Sequence, residues 1–236
     1  MEKQTKIIAI ISSPRINGNT AALAREVLKG AESAGAKTTE IFLKNHQIEF
    51  CRGCSACMAR GSCVISDDCT ALKKELASAD GIVLASPNYA NSFNAIMKQF
   101  LERLGLFEFL TSSLLGGKYI AGISTAGGAG AEKVARELTG LAAKGIFKRG
   151  YVCGSLGVNL NGREISGFPA ALSKASDLGV KMVIDIRYGR TYPLQNLFSR
   201  LITSLLIKPN FRKFINEGKE THLKAVYQNL NARALL

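Results

Sequence analysis

Lys6-Ile7-Ile8-Ala9-Ile10-Ile11-Ser12-Ser13-Pro14-Arg15-Ile16-Asn17-Gly18-Asn19-Thr20 is the stretch on which the fold turns. Its first half is apolar without alternation, the pattern of a strand covered on both faces. Its second half is a turn of small and hydroxyl residues. Helical spacing follows at once, at Leu23, Val27, Ala31 and Ala34, and Gly35 stands where a left-handed cap ends a helix. Outward from this unit the same alternation repeats. Further strands are expected at 38–43, 80–86, 119–124 and 151–156, with helices along Ile96, Met97, Phe100, Leu101 and Leu104, at 134–143 and at 170–184. Strands and helices in strict alternation specify a doubly wound α/β domain with a five-stranded parallel sheet and right-handed crossovers. Ligands of such sheets sit at the carboxyl ends of the strands, where the winding reverses. The loops 12–20, 87–94 and 125–130 are therefore the ones to read for function.

The 236 residues are 47% hydrophobic and 21% charged, enough for one large domain with an appendage. No uncharged apolar run approaches the roughly 20 residues of a membrane-spanning helix. The short apolar run near the start lacks a cleavage site, so the chain reads as unprocessed and cytoplasmic. The net charge is +13, and the segment from Arg187 onward holds 9 basic and 2 acidic side chains. There Leu194, Leu197, Phe198, Leu201, Ile202, Leu205 and Leu206 form an apolar stripe at helical spacing, expected to stop at Pro209. The expected organisation is a domain at 1–187, with a cysteine-rich loop at 44–68, and a basic amphipathic helical extension at 188–236. The stripe would pack on the parent domain or a second subunit, or lie on a membrane surface or acidic partner. A basic binding module for nucleic acid is disfavoured, because tryptophan is absent and no stacking aromatics accompany the cations.

The first loop has the make-up of a phosphate cradle. Ser12, Ser13, Asn19 and Thr20 offer donors, Gly18 admits close backbone approach, Arg15 can pair with charge, and a helix N-terminus favours an anion. Neither a P-loop lysine nor a G-x-G-x-x-G occurs there, so the usual nucleotide and dinucleotide loops are disfavoured. Ser12-Ser13-Pro14-Arg15-x-x-Gly18-Asn19-Thr20 resembles the FMN-phosphate loop of the flavodoxin-like NADPH-dependent FMN reductases. Ser86-Pro87-Asn88-Tyr89-Ala90-Asn91-Ser92 resembles the segment that supports the flavin ring in that family, and Ser124-Thr125-Ala126-Gly127-Gly128 the loop at its pyrimidine edge. The resemblance implies strand order 2-1-3-4-5. It also implies an FMN site formed by Ser12, Pro14, Arg15, Gly18, Asn19 and Thr20, by Pro87, Asn88, Tyr89, Ala90 and Ser92, and by Ser124, Thr125, Ala126, Gly127 and Gly128. No side chain is expected as nucleophile or general base, since the flavin carries the chemistry.

Cys51-x-x-Cys54-x-x-Cys57-x5-Cys63 places four of the six cysteines in thirteen residues. Such spacing suits a [4Fe-4S] cubane, and zinc or free or disulfide-linked thiols are the other readings. The motif resembles that of the iron-sulfur flavoproteins, a branch of the same superfamily, which implies a [4Fe-4S] cluster beside FMN. That branch implies a homodimer or homotetramer, and the basic surface would suit an acidic ferredoxin-like electron donor, with a small molecule as acceptor. The alternative is an NAD(P)H-dependent FMN, quinone or nitro reductase with no cluster. Cys153 reads as a buried apolar residue. Cys69 begins a helix, where a lowered pKa is expected, and Asp67 and Asp68 read as helix N-terminal acids.

Overall fold

In the computed structural model, which describes residues 4–143 and 145–236, the strands are β1 (Lys6–Ile11), β2 (Lys37–Phe42), β3 (Gly81–Tyr89), β4 (Ser92–Phe93), β5 (Tyr119–Ala126) and β6 (Tyr151–Asn159). The long strands are parallel and ordered β2-β1-β3-β5-β6, while the two-residue β4 folds back antiparallel on the end of β3. Numbered without β4, this is the 2-1-3-4-5 order implied by the resemblance. Three strands run further at their carboxyl ends than hydropathy predicts. Ladder partners such as Pro87↔Thr125 and Ala126↔Asn159 continue the sheet into segments read from sequence as loops. Several candidate site residues consequently sit on paired backbone.

The helices are α1 (Asn19–Ser33), α2 (Ala56–Arg60), α3 (Cys69–Ser78), α4 (Ala95–Thr111), α5 (Ala131–Ala143), α6 (Pro169–Arg187), α7 (Leu197–Ile202), α8 (Lys208–Glu217) and α9 (Lys224–Ala232). Odd positions of β1, Ile7, Ala9 and Ile11, face α1 and α6, whereas Ile8 and Ile10 face α3, α4 and α5. Both faces are covered, which is why the strands carry no polar alternation. On the first face α1 and α6 touch backbone to backbone. A Cβ on Gly30 would stand 2.0 Å from the Ser176 carbonyl oxygen, and one on Gly179 would stand 1.9 Å from that of Val27.

α4 is broken at Gly105, whose φ of 84° and ψ of 172° leave the helical region. Beyond that break Leu110 joins Ile146, Phe147, Ile215, Leu223, Val226 and Leu230 in a third apolar cluster. The Arg233 guanidinium closes this cluster, donating to the carbonyls of Thr111 (2.7 Å) and Ser112 (3.2 Å).

The chain end thus packs on the parent domain, but the stripe from Leu194 to Leu206 does not, so of the readings open to it packing on the parent domain falls away. Leu194, Phe198, Leu205 and Leu206 are 63–80% exposed. Pro209 does not stop the helix either. A π-helical turn at Thr203–Ile207 connects α7 to α8, and Pro209 lies in the first turn of α8. The wider turn makes room for the ring and for its missing N–H. Edge strand β6 is blunted by Gln195, whose amide accepts from Val152 N (3.1 Å) and donates to Val152 O (2.9 Å), as a neighbouring strand would. Among the described residues no helix is long and apolar enough to cross a membrane.

Candidate active site

The carboxyl ends of β1, β3 and β5 enclose a cleft of about 310 Å3. Arg15, Gly18, Asn19, Thr20, Pro87, Asn88, Tyr89, Thr125, Ala126 and Gly127, all read from the sequence, line it. Ser12, Pro14, Ala90, Ser92, Ser124 and Gly128 do not. Ser12 is fully buried, its hydroxyl donating to Ala85 O (3.3 Å), so it supports the cleft from behind. Thr20 and Thr125 join the first and third loops through a 2.6 Å hydroxyl contact. α1 starts behind Gly18, which has no side chain to cap it, and its first-turn N–H groups remain free to meet an anion. A Cβ on Gly127 would meet no neighbouring atom, so that segment leaves open space. Two buried polar atoms lack partners, Asn88 Oδ1 on the wall and Ser124 Oγ behind it. Such orphans suit a site built for a hydrogen-bonding ligand.

The hairpin at the end of β3 turns through Ala90 (φ 49°) and Asn91 (φ 62°). Two successive left-handed residues match the primed turns that suit a tight hairpin. Asparagine tolerates this conformation, whereas alanine pays roughly 1–2 kcal/mol. Ala90→Gly is expected to stabilise the protein by about 0.5–1 kcal/mol and Ala90→Val to destabilise it. Denaturant midpoints of both variants check this, and equal midpoints would remove the strain.

Two features of this cleft were not read from the sequence. The segment after β6 contributes Leu160, Gly162, Arg163 and Glu164, and it is tied to the third loop through Leu160 N and Asn161 N, each 2.8 Å from the carbonyls of Ala126 and Gly127. Asn94 is the second. It caps α4 by accepting from Met97 N (3.1 Å), donates to Ser12 O (2.8 Å), and receives Ser86 Oγ (3.3 Å). One amide therefore fastens the first loop, the second loop and α4. An asparagine before an apolar helical run was the available signal.

Cys51, Cys54, Cys57 and Cys63 line one cavity of about 590 Å3 between the cysteine loop and α4, with Lys73, Lys98 and Arg103. All four thiols are unpaired, the first two exposed and the others half-buried. Among the described residues, no three Cys, His, Asp or Glu side chains are grouped as a preformed metal site. Arg103 organises the loop. Only 2% exposed, it makes a two-pronged contact with Asp67, donates to Glu49 O (2.7 Å) and stands 3.7 Å from Cys63 Sγ. Burial pushes Asp67 up, but hydrogen bonds from Arg103 and Glu49 N hold it below the ordinary carboxylate value. Asp67 also accepts from Cys69 N (3.1 Å), so its helix-terminal role is real but secondary to the arginine. Burial likewise raises the Cys63 thiol, yet the Ile65 N–H and Arg103 bring it below its usual value. Cys69 departs from expectation. Its thiol is buried and pushed up, because burial outweighs the neighbouring cations. Cys153 is buried as expected, its thiol pushed up to about 12 by burial and by Asp185.

Residues 5–156 match the NADPH-dependent FMN reductase family. The chain belongs to that family. Within this family it lies in the iron-sulfur flavoprotein branch. It is 34% identical over 179 residues to an iron-sulfur flavoprotein of Archaeoglobus fulgidus, covering 75% of this chain and 78% of that protein. It is 24% identical over 218 residues to one of Clostridioides difficile, covering 90% and 94%. Among solved structures, a flavone reductase superposes with a TM-score of 0.62 at 21% identity, over 78% of this chain and 63% of that one. A flavodoxin from the domain Archaea superposes with a TM-score of 0.51 at 16% identity, over 78% of this chain and 99% of that one, and these likenesses show the flavodoxin-like fold. As a member of the FMN reductase family, the chain is an FMN-dependent redox protein and a flavin-dependent oxidoreductase.

Proposed function

We propose that the chain is a two-cofactor electron carrier, with FMN in the strand-end cleft and a [4Fe-4S] cluster in the cysteine cavity. The observation that carries this reading is that all four cysteines line a single cavity whose far wall is α4, the helix that Asn94 fastens to the cleft. The donor set also fits. Four unpaired thiols face a cavity lined by four cations, Arg52, Lys73, Lys98 and Arg103, and no more than one carboxylate, Glu102, which suits an anionic thiolate-ligated cluster. When bound, FMN supplies exchange between two-electron and one-electron chemistry.

In this reading the chain's own groups bind and orient. The α1 N-terminus with Arg15, Gly18, Asn19 and Thr20 holds the phosphate, supported by Ser12 and Pro14. Pro87, Asn88 and Tyr89 carry the ring, backed by the turn through Ala90 and Ser92, and Thr125, Ala126 and Gly127 approach its edge, with Ser124 and Gly128 supporting them from outside the cleft. Cys51, Cys54, Cys57 and Cys63 hold the cluster, with Arg103 turned toward Cys63. NAD(P)H or an acidic ferredoxin-like protein supplies electrons, the second favoured by the net charge of +13. A homodimer or homotetramer, and a boundary near residue 187 between the flavin domain and the extension, complete the proposal. The second reading, an NAD(P)H-dependent reductase without a cluster, is favoured by the lack of a preformed metal group among the described residues.

Purification without oxygen, followed by FMN, iron and sulfide analysis, separates the two. About one FMN with four iron and four sulfide per chain is expected. FMN without iron would overturn the cluster and leave the plain reductase.

A further inference from the structure

A cavity of about 600 Å3 lies where β6 begins, between residues 146–151 and 191–208. Nine residues of β6 separate this end from the flavin cleft, about 26 Å at strand spacing. Its outer wall is fastened at two points. Gln195 pairs with both backbone groups of Val152, and Arg149 Nη2 donates to Ser199 O (3.2 Å) and Thr203 Oγ1 (3.0 Å).

Lys148, Arg149, Arg200 and Lys208 line the cavity, and no aspartate or glutamate does. Among the described residues none of these four cations makes a salt bridge. Arg149 Nη1 is buried without a hydrogen-bond partner. Burial and Arg200 lower the Arg149 guanidinium, and burial, Arg212 and Arg149 lower the Lys208 ammonium. Arg149 and Lys208 are partly buried and Lys148 and Arg200 exposed, and cations gathered around one cavity with no counter-charge from the chain repel one another unless an anion joins them.

We propose that this cavity is a binding site for a phosphate-bearing anion. Guanidinium forks match phosphate oxygens in pairs, lysines add point charge, and the hydroxyls of Thr203 and Ser204 add neutral donors. Several uncompensated cations favour a multiply charged phosphate over a single carboxylate. A second copy of the chain is a poor occupant, because a two-fold contact would set the same cations against one another. The phosphate has two possible sources: a free phosphate compound, or an anionic lipid headgroup reached through the exposed Phe198, Leu205 and Leu206 nearby.

The test uses FMN-loaded protein, so that the flavin's own phosphate loop is filled. Calorimetric titration with inorganic pyrophosphate is run beside sedimentation with vesicles of phosphatidylcholine and phosphatidylglycerol in roughly equal parts, at near-physiological salt. Saturable pyrophosphate binding that weakens roughly tenfold or more in the Arg200→Gln/Lys208→Gln double variant supports a free phosphate ligand. Vesicle binding lost in that variant, without pyrophosphate binding, supports the lipid source. A Lys213→Gln/Lys219→Gln variant, changed by the same charge away from the cavity, should bind as the parent does. Equal weakening in both double variants, or no binding of either probe, overturns the proposal.

Discussion

Arg103→Met should abolish iron retention and remove roughly 3–5 kcal/mol of folding stability, the usual result of leaving one partner of a buried ion pair alone. The side chain is 2% exposed and its Asp67 partner nearly as buried, so water cannot replace the lost fork. The effect on the cysteine loop follows from where the contacts fall. Glu49 precedes Cys51 and Asp67 follows Cys63, and a single guanidinium holds both. Without it the segment carrying all four thiols is released at each end. Arg103→Lys keeps the charge but cannot span both ends, and should retain part of the iron. Replacing the pair together, as Arg103→Met with Asp67→Leu, should restore part of the stability, the rest being lost with the hydrogen bonds to Glu49 and Cys69, but none of the iron. Denaturant unfolding of the iron-free protein and iron analysis after anaerobic purification read the two effects separately. Full iron content in Arg103→Met would remove the arginine from any role in the loop.

Asn94→Ala should release FMN. The substitution deletes the α4 cap, worth about 1 kcal/mol, and leaves Ser12 O without a buried donor at about 1–3 kcal/mol more. Because the same amide fixes the first and second loops, both sides of the strand-end cleft proposed to hold FMN lose their common anchor. Flavin affinity is expected to fall roughly 10- to 100-fold, in line with a loss of about 1.4 kcal/mol per decade. Asn94→Asp retains the cap acceptor but sets a carboxylate against the Ser12 carbonyl. It should keep more thermal stability than Asn94→Ala while binding FMN no better. Quenching of FMN fluorescence on binding gives the affinities, and an unchanged dissociation constant for Asn94→Ala would show that the loops are held by other contacts.

The order of strands and helices was legible because each long strand is buried on both faces and each crossover helix carries a periodic stripe. Loops at strand ends were legible for a related reason, since small, hydroxyl and glycine residues interrupt apolar runs there. What escaped was polar pairing at a distance. Asp67 and Arg103 are 36 residues apart, and nothing local in either segment marks one for the other. Asp67 next to the start of α3 reads as a helix acid, which it is, while its principal partner is invisible. The break at Gly105 was hidden within an otherwise regular apolar face, because isolated glycines are tolerated in helices. The stripe from Leu194 to Leu206 shows the converse. Its periodicity identified helical structure correctly, but periodicity does not say what covers the apolar side.

α4 has one further consequence. Its first segment begins at the amide that pins the strand-end cleft and, nine residues later, presents the arginine that gathers the cysteine loop. At 1.5 Å per residue the two fixtures are about 14 Å apart along a hydrogen-bonded rod. The rod ends at Gly105, just beyond the second fixture, so the bend falls outside the interval. The helix is thus a gauge block that sets the span between the two cavities. Inserting one alanine between Lys98 and Leu101 would lengthen the span by about 1.5 Å and swing Arg103 about 100° around the axis, away from Asp67 and Glu49, so it should free the cysteine loop as Arg103→Met does.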